Sequence, residues 1–182
     1  MPRLFTGLEI PPDIAADLVM LRGGVSGARW IEAADYHVTL RFIGDIDDRL
    51  AREAAEILSE IRRPPFPVVL DALSWFGAHK PRAIVAKVKP TTPLIELQAE
   101  QERRLRRVGL EPEARKYTPH VTLARLRSSS PHAVADYLSA RGYFPARQFE
   151  ATRFVMFSAR ESTGGGPYLV EASYPLQEPD AR

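Results

Sequence analysis

His37-Val38-Thr39-Leu40 recurs letter for letter as His120-Val121-Thr122-Leu123. Both copies lie in apolar, β-branched surroundings, residues 36–43 and 120–126, a composition that predicts strand. Strand side chains alternate between faces, so a His and the Thr two positions on point the same way. Each copy therefore presents one imidazole and one hydroxyl together, with Val and Leu turned to the other side. A single His-x-Thr is weak evidence. Two copies with the same Val and Leu, taking two of the chain's four histidines, are much harder to reach by chance.

Outward from these stretches the chain follows one order twice. Residues 3–10 predict a strand ended by Pro11-Pro12, and 13–22 a helix with Ile14, Leu18 and Leu21 on one stripe. A short strand is expected at 29–32, and the first His-x-Thr strand closes at Gly44. Asp47 or Asp48 can cap a helix to about 62, and 66–76 read as a strand. The order then restarts with a strand at 82–89 and a helix capped by Thr92 to about 108, bearing Arg103, Arg104, Arg106 and Arg107 on its solvated side. After the second His-x-Thr strand come a helix at 131–140 behind Ser130, a strand at 148–158, a glycine turn at 164–166 and a last strand at 167–174. The stretch from 177 to 182 is expected to fray.

Strand, helix, His-x-Thr strand, helix, strand is the grammar of both passes. An internal duplication is therefore expected, with halves near 1–80 and 81–182 in a single two-lobed domain. The fold class is α+β: two antiparallel sheets related by a pseudo-two-fold axis line a central cleft, with helices outside. A His and a Thr would reach the cleft from each wall.

Composition narrows the function. The 182 residues are 45% hydrophobic and 26% charged, as in an ordinary globular protein. A net charge of +2 is a mild bias towards anionic partners and not the signature of a general nucleic-acid coat. Without cysteine, disulfides, thiolate metal sites and cysteine nucleophiles are excluded. No leader pattern or long apolar run is present, so a cytoplasmic monomer with no membrane contact is expected. His79 reads as a loop histidine and His132 as a solvated first-turn residue.

Paired imidazoles suit acid and base work near neutral pH, since His titrates near ~6.5. In-line attack at phosphorus puts the entering and departing oxygens on opposite sides, and two symmetric walls supply a base on one side and an acid on the other. Thr39 and Thr122 can donate to the non-bridging oxygens between them. A metal would want three or four convergent donors, whereas the pattern here is His-x-Thr; none is expected, nor any other cofactor.

The sequence resembles the two-histidine phosphoesterase superfamily, and within it the RNA 2′,3′-cyclic phosphodiesterases also called 2′-5′ RNA ligases. The matching stretches are Arg3-Leu4-Phe5 with Glu9-Ile10-Pro11, then Trp30, Tyr36 to Leu40 and Phe42-Ile43-Gly44. Phe76-Gly77, Pro81-Arg82, Pro119 to Leu123 with Arg125, and Glu161-Ser162 to Gly166-Pro167-Tyr168 follow in family order. The resemblance implies hydrolysis of an RNA-terminal or nucleotide 2′,3′-cyclic phosphate to a 2′-phosphate. It implies His37 as proton donor, His120 as proton acceptor, and Thr39, Thr122 and Arg125 as phosphate contacts. Phe5, Arg41 and Tyr117 are further candidates for substrate contact. Simple alternation puts Arg41 on the face of His37 but Arg125 on the face opposite His120, so the second strand must bend or end before Arg125. Thr6 stands where the family often has an aromatic on which a base stacks, which predicts a weaker hold on the terminal nucleoside. Two other readings share these residues: reversible 2′-5′ RNA ligation, and a non-catalytic module that binds RNA ends.

Overall fold

Alternating apolar runs with proline and glycine stops give nine strands and four α-helices among the residues that the computed structural model describes, 3–141, 143–159 and 166–180. In order these are β1 (Arg3–Glu9), α1 (Pro12–Val19), β2 (Ala28–Trp30), a 3₁₀ turn at Ala33–Asp35, β3 (His37–Gly44), α2 (Asp48–Ser59) and β4 (Phe66–Phe76). Then come β5 (Ala83–Val88), α3 (Thr92–Arg107), β6 (His120–Leu126), α4 (Pro131–Ala140), β7 (Arg147–Ala151), β8 (Arg153–Ala159) and β9 (Tyr168–Pro175). Glu161, Ser162 and most of the expected glycine turn lie outside the described residues.

Local chemistry sets the helix ends. The Asp47 carboxylate accepts the Leu50 N–H at 2.8 Å and the Ser130 hydroxyl accepts the Ala133 N–H at 3.0 Å, capping α2 and α4. At α3 the cap position falls to Thr91 and not to Thr92, and its hydroxyl makes no capping bond. Arg103, Arg106 and Arg107 of α3 are exposed, but Arg104 is drawn in between Glu100 at 2.7 Å and Glu60 at 2.8 Å. The expected frayed end is tied at its start, where the Gln177 N–H donates to the Arg63 carbonyl at 2.9 Å.

The strands pair antiparallel in the order β7-β4-β5-β6-β3-β1-β8-β9, with β2 added beside β6. In place of two separate sheets, hydrogen bonding makes one. Its two arms are joined where β3 meets β6, at the single pair Val38↔Val121. The strand expected over 148–158 is broken by Thr152 into β7, which pairs with β4, and β8, which pairs with β1. One residue therefore separates strands near opposite ends of the order, so the sheet must curl to bring its ends together.

The helices cover one face. Val38, Leu40, Val121 and Leu123, the apolar partners of the two His-x-Thr pairs, are at most 2% exposed. They share a core with Ile14 and Leu18 of α1, Ala54 and Leu58 of α2, Leu94, Leu97 and Leu105 of α3, and Val134 and Tyr137 of α4. Each large aliphatic side chain so buried contributes about 1.5–3 kcal/mol. This anchors both strands from behind and leaves their His-x-Thr face uncovered by helices. Among the described residues, no helix is long and apolar enough to cross a membrane.

Candidate active site

The register at the join decides what meets. In an antiparallel pair, the residue before one partner lies beside the residue after the other. Pairing Val38 with Val121 therefore sets His37 beside Thr122 and His120 beside Thr39. The two His-x-Thr pairs are thereby gathered into one patch at the join.

Both strands then bulge at the same place. On β3, Thr39 pairs with Gly7 and Arg41 with Thr6, so Leu40 is the extra residue. On β6, Thr122 pairs with Val85 and Ala124 with Ile84, so Leu123 is the extra one. A bulge reverses the alternation beyond it. Arg125 thus returns to the face of His120 and Thr122, and Phe42, the same distance past His37, takes the matching place on the other arm.

The same reversal removes Arg41 from the site, against its parity in a regular strand. It is 7% exposed, ion-paired with Glu102 of α3 and donating to the carbonyls of Phe42 and Glu111. Thr6 is also turned to the core, fully buried, with its hydroxyl donating to Gln101 Oε1 at 2.5 Å. An aromatic there would not face a substrate, so its absence does not weaken the site. Phe5 is on the site side but only 4% exposed, with its ring centroid 5.0 Å from that of His37. It backs the histidine and offers no free face. Tyr117 donates its hydroxyl to the Thr39 carbonyl at 2.8 Å, tying the approach to β6 onto β3. Burial holds that phenol's pKa above its usual value.

Both imidazoles are oriented through Nδ1. His37 Nδ1 lies 2.9 Å from the Asp35 carbonyl and His120 Nδ1 lies 2.7 Å from the Thr118 carbonyl. A carbonyl only accepts, so each Nδ1 carries hydrogen and each Nε2 is left for the chemistry. His37 Nε2 stands 2.9 Å from Thr39 Oγ1. Burial lowers the His37 pKa to about 4; the Asp35 carbonyl opposes this, and the fields of His120 and Arg125 add to it. His120 is lowered too, first by burial and then by Arg125, against the Thr118 carbonyl. The direction of both shifts agrees with the bulge, which brings Arg125 to the face of the two histidines.

The walls differ in character. Around His37 stand Phe5, Phe157 at 5.5 Å and Tyr168 at 5.1 Å between ring centroids, with Phe42 58% exposed beyond Phe5. Beside His120 stands Phe76, edge-on at 4.7 Å, with Lys87 in register on β5 and Arg125 exposed. One wall is aromatic and the other cationic. Sequence reasoning missed Phe42, Phe76 and the packing of Tyr168 on His37; the shared His-plus-five spacing of Phe42 and Arg125 was the available signal. A pocket of about 350 Å³ opens next to the His37 wall, lined by Glu9, Ala15, Ala33, Asp35, Tyr36 and Tyr168 among others. Among the described residues, no three His, Asp or Glu gather as metal ligands would.

Comparison with known proteins gives a consistent picture. The family model described as the 2′-5′ RNA ligase superfamily matches residues 10–163. The RNA 2′,3′-cyclic phosphodiesterase of Bacillus subtilis (strain 168) is 33% identical over 132 residues, 68% of this chain and 71% of that protein. In fold, the chain is similar to E. coli LigT complexed with 3′-AMP, with a TM-score of 0.78 at 22% identity over 98% of this chain and 100% of that one. A Thermus thermophilus protein, TT0787, superposes with a TM-score of 0.80 at 19% identity, covering 97% and 98% of the two chains.

Proposed function

The chain belongs to the 2′-5′ RNA ligase superfamily, and from that premise we propose that it hydrolyses the 2′,3′-cyclic phosphate at the end of an RNA or nucleotide, leaving a 2′-phosphate. The observation that carries this reading is the patch itself: two imidazoles anchored through Nδ1, the hydroxyls of Thr39 and Thr122 on the same face with Thr39 Oγ1 2.9 Å from His37 Nε2, and the exposed Arg125 returned to that face by the bulge. Thr39, Thr122 and Arg125 hold the non-bridging oxygens. His120 takes a proton from the attacking water as its oxygen bonds to phosphorus. His37 delivers a proton to O3′ as the P–O3′ bond breaks, and O2′ keeps the phosphate. The two histidines then exchange a proton with solvent to reset.

The low proton affinity of His37 in the resting site must be reversed for it to act as the acid. An incoming phosphate supplies the reversal, because its negative charge opposes both the burial penalty and the repulsion from Arg125. The aromatic wall supports the reading that the nucleoside lies on the His37 side, with the exposed Phe42 ring available to a base. Such stacking is worth ~1–3 kcal/mol per base. No step is assigned to a metal.

Hydrolysis and ligation differ in whether water or an RNA end occupies the attacking side. The test is incubation of an oligoribonucleotide ending in a 2′,3′-cyclic phosphate, with and without EDTA and with and without a 5′-hydroxyl RNA acceptor. A 2′-phosphomonoester formed at the same rate in EDTA is expected. A 3′-phosphate product, a joined product alone, or an activity lost in EDTA and restored by Zn²⁺ or Mn²⁺ would contradict it.

A further inference from the structure

We propose that Asp35 is a positioning residue, which fastens the start of β9 against the His37 ring and so sets how closely that ring is enclosed. The proposal rests on the reading of His37 as catalytic, but its geometry stands apart from it. Asp35 acts in two directions. Its carbonyl accepts from His37 Nδ1 at 2.9 Å, and its carboxylate Oδ1 accepts the N–H of Tyr168 at 3.1 Å. Gly166 comes in so close that a Cβ on it would stand 2.1 Å from Asp35 Oδ2, and its φ of +98° is one that side chains rarely adopt. Only glycine lets the chain lie against the carboxylate here.

The consequence is the seat of Tyr168. Its ring meets His37 edge-on, with centroids 5.1 Å apart at 88°, and meets Phe5 at 5.1 Å and 82°. Tyr168 is the first residue of an edge strand and pairs with Ala159 at the end of the β8–β9 ladder. Pairing at a ladder end is the weakest place in a sheet, so a second tie matters there. The His120 wall is built otherwise. Thr118 supplies its backbone carbonyl, and the covering ring, Phe76, comes from the paired interior arm at β4. Asp35 thus joins two jobs that are separate on the other wall: it orients the imidazole and holds its cover.

Among the described residues, the charged and titratable groups facing His37 are His120 and Arg125 from β6, Tyr168 from β9, and Glu9 in register on β1, itself bound by Arg153 of β8. A change at Asp35 reaches His37 through its own charge or through Tyr168, and three variants separate these. Asp35→Asn removes the charge and keeps an oxygen for the Tyr168 N–H. Asp35→Ala removes both. Tyr168→Leu removes the ring and leaves Asp35 intact.

The measurement is the NMR titration of the His37 Cε1 proton in the full chain, with kcat and KM alongside. Asp35→Ala and Tyr168→Leu should each raise the midpoint by about one unit or more towards the ordinary ~6.5, as enclosure is lost. Asp35→Asn should stay near wild type in midpoint and in kcat. The double variant Asp35→Ala with Tyr168→Leu should shift no further than either single change, since both act through one ring. An unmoved midpoint in Asp35→Ala, an Asn variant that behaves like Ala, or additive shifts would each overturn the proposal. If Asp35→Ala does not fold, an unmoved midpoint in Tyr168→Leu overturns it alone. Failure of the hydrolase reading would show as an inactive wild type whose His37 still titrates as described.

Discussion

The enclosed His37 should make the protein lose stability on mild acidification in a way that one substitution removes. In the folded chain its pKa is lowered from 6.5 to about 4, chiefly by burial. An unfolded histidine binds its proton near ~6.5, so between about pH 6.5 and 4 the unfolded state holds more protons than the folded one. Stability from this residue is therefore complete above about pH 6.5, declines as pH falls towards 4, and changes little below that. The gap between 6.5 and about 4, at about 1.36 kcal/mol per pH unit, is worth about 3 kcal/mol. Other groups titrate in the same range, so the quantity to measure is a difference. His37→Asn keeps a side-chain N–H for the Asp35 carbonyl and cannot titrate. Urea unfolding of both proteins at about pH 7, 5.5 and 4 should show the wild type losing about 3 kcal/mol more than the variant over the range. Parallel stability curves would refute the enclosure of His37 and with it the electrostatic account of the resting site.

Thr39→Val and Thr122→Val keep the β-branched shape and remove the donor; each should cost turnover up to ~10²–10³-fold with an unchanged unfolding curve, and near-wild-type rates in both would make the hydroxyls structural. Phe42→Ala should raise KM for a nucleotide substrate by about 5- to 150-fold at constant stability, from stacking worth ~1–3 kcal/mol; an unchanged KM would remove Phe42 from the base site. Arg41→Met strands Glu102 and should destabilise by about 3 kcal/mol while leaving kcat/KM of the folded enzyme unaltered, whereas a selective loss of activity would return Arg41 to the site. The pH profile of kcat/KM should be a bell displaced below neutrality, since both histidines are lowered in the free enzyme; His120→Ala should remove its acidic limb and His37→Ala its alkaline limb.

The His-x-Thr strands were legible in the sequence because alternation within a strand depends only on that strand. The helix termini at Asp47 and Ser130 were legible for the same reason, being local hydrogen bonds. What neighbouring strands decide was not. Leu40 and Leu123 become bulges through the register of β1 and β5, and the bulges send Arg41 inward and bring Arg125 and Phe42 to the site. The resemblance makes Thr6 a lost stacking position, and only strand pairing turns it to Gln101. The break at Thr152 has no local signal either; it follows from the curl that gives Ala151 to β4 and Arg153 to β9. The resemblance supplied Arg125 where strand parity alone would have discarded it.

The central claim is that two histidines divide the proton transfers, with His120 as base and His37 as acid. The most direct measurement is the rate of His37→Ala and His120→Ala on a phosphodiester whose leaving group is far better than a ribose oxygen, in excess EDTA. Such a leaving group needs little protonation. Against an unactivated cyclic phosphate each variant should lose ~10²–10⁴-fold. On the activated substrate His37→Ala should recover most of its rate and His120→Ala should stay inactive. Recovery of His120→Ala instead would reverse the two roles, and recovery of neither would reduce both residues to holding the phosphate.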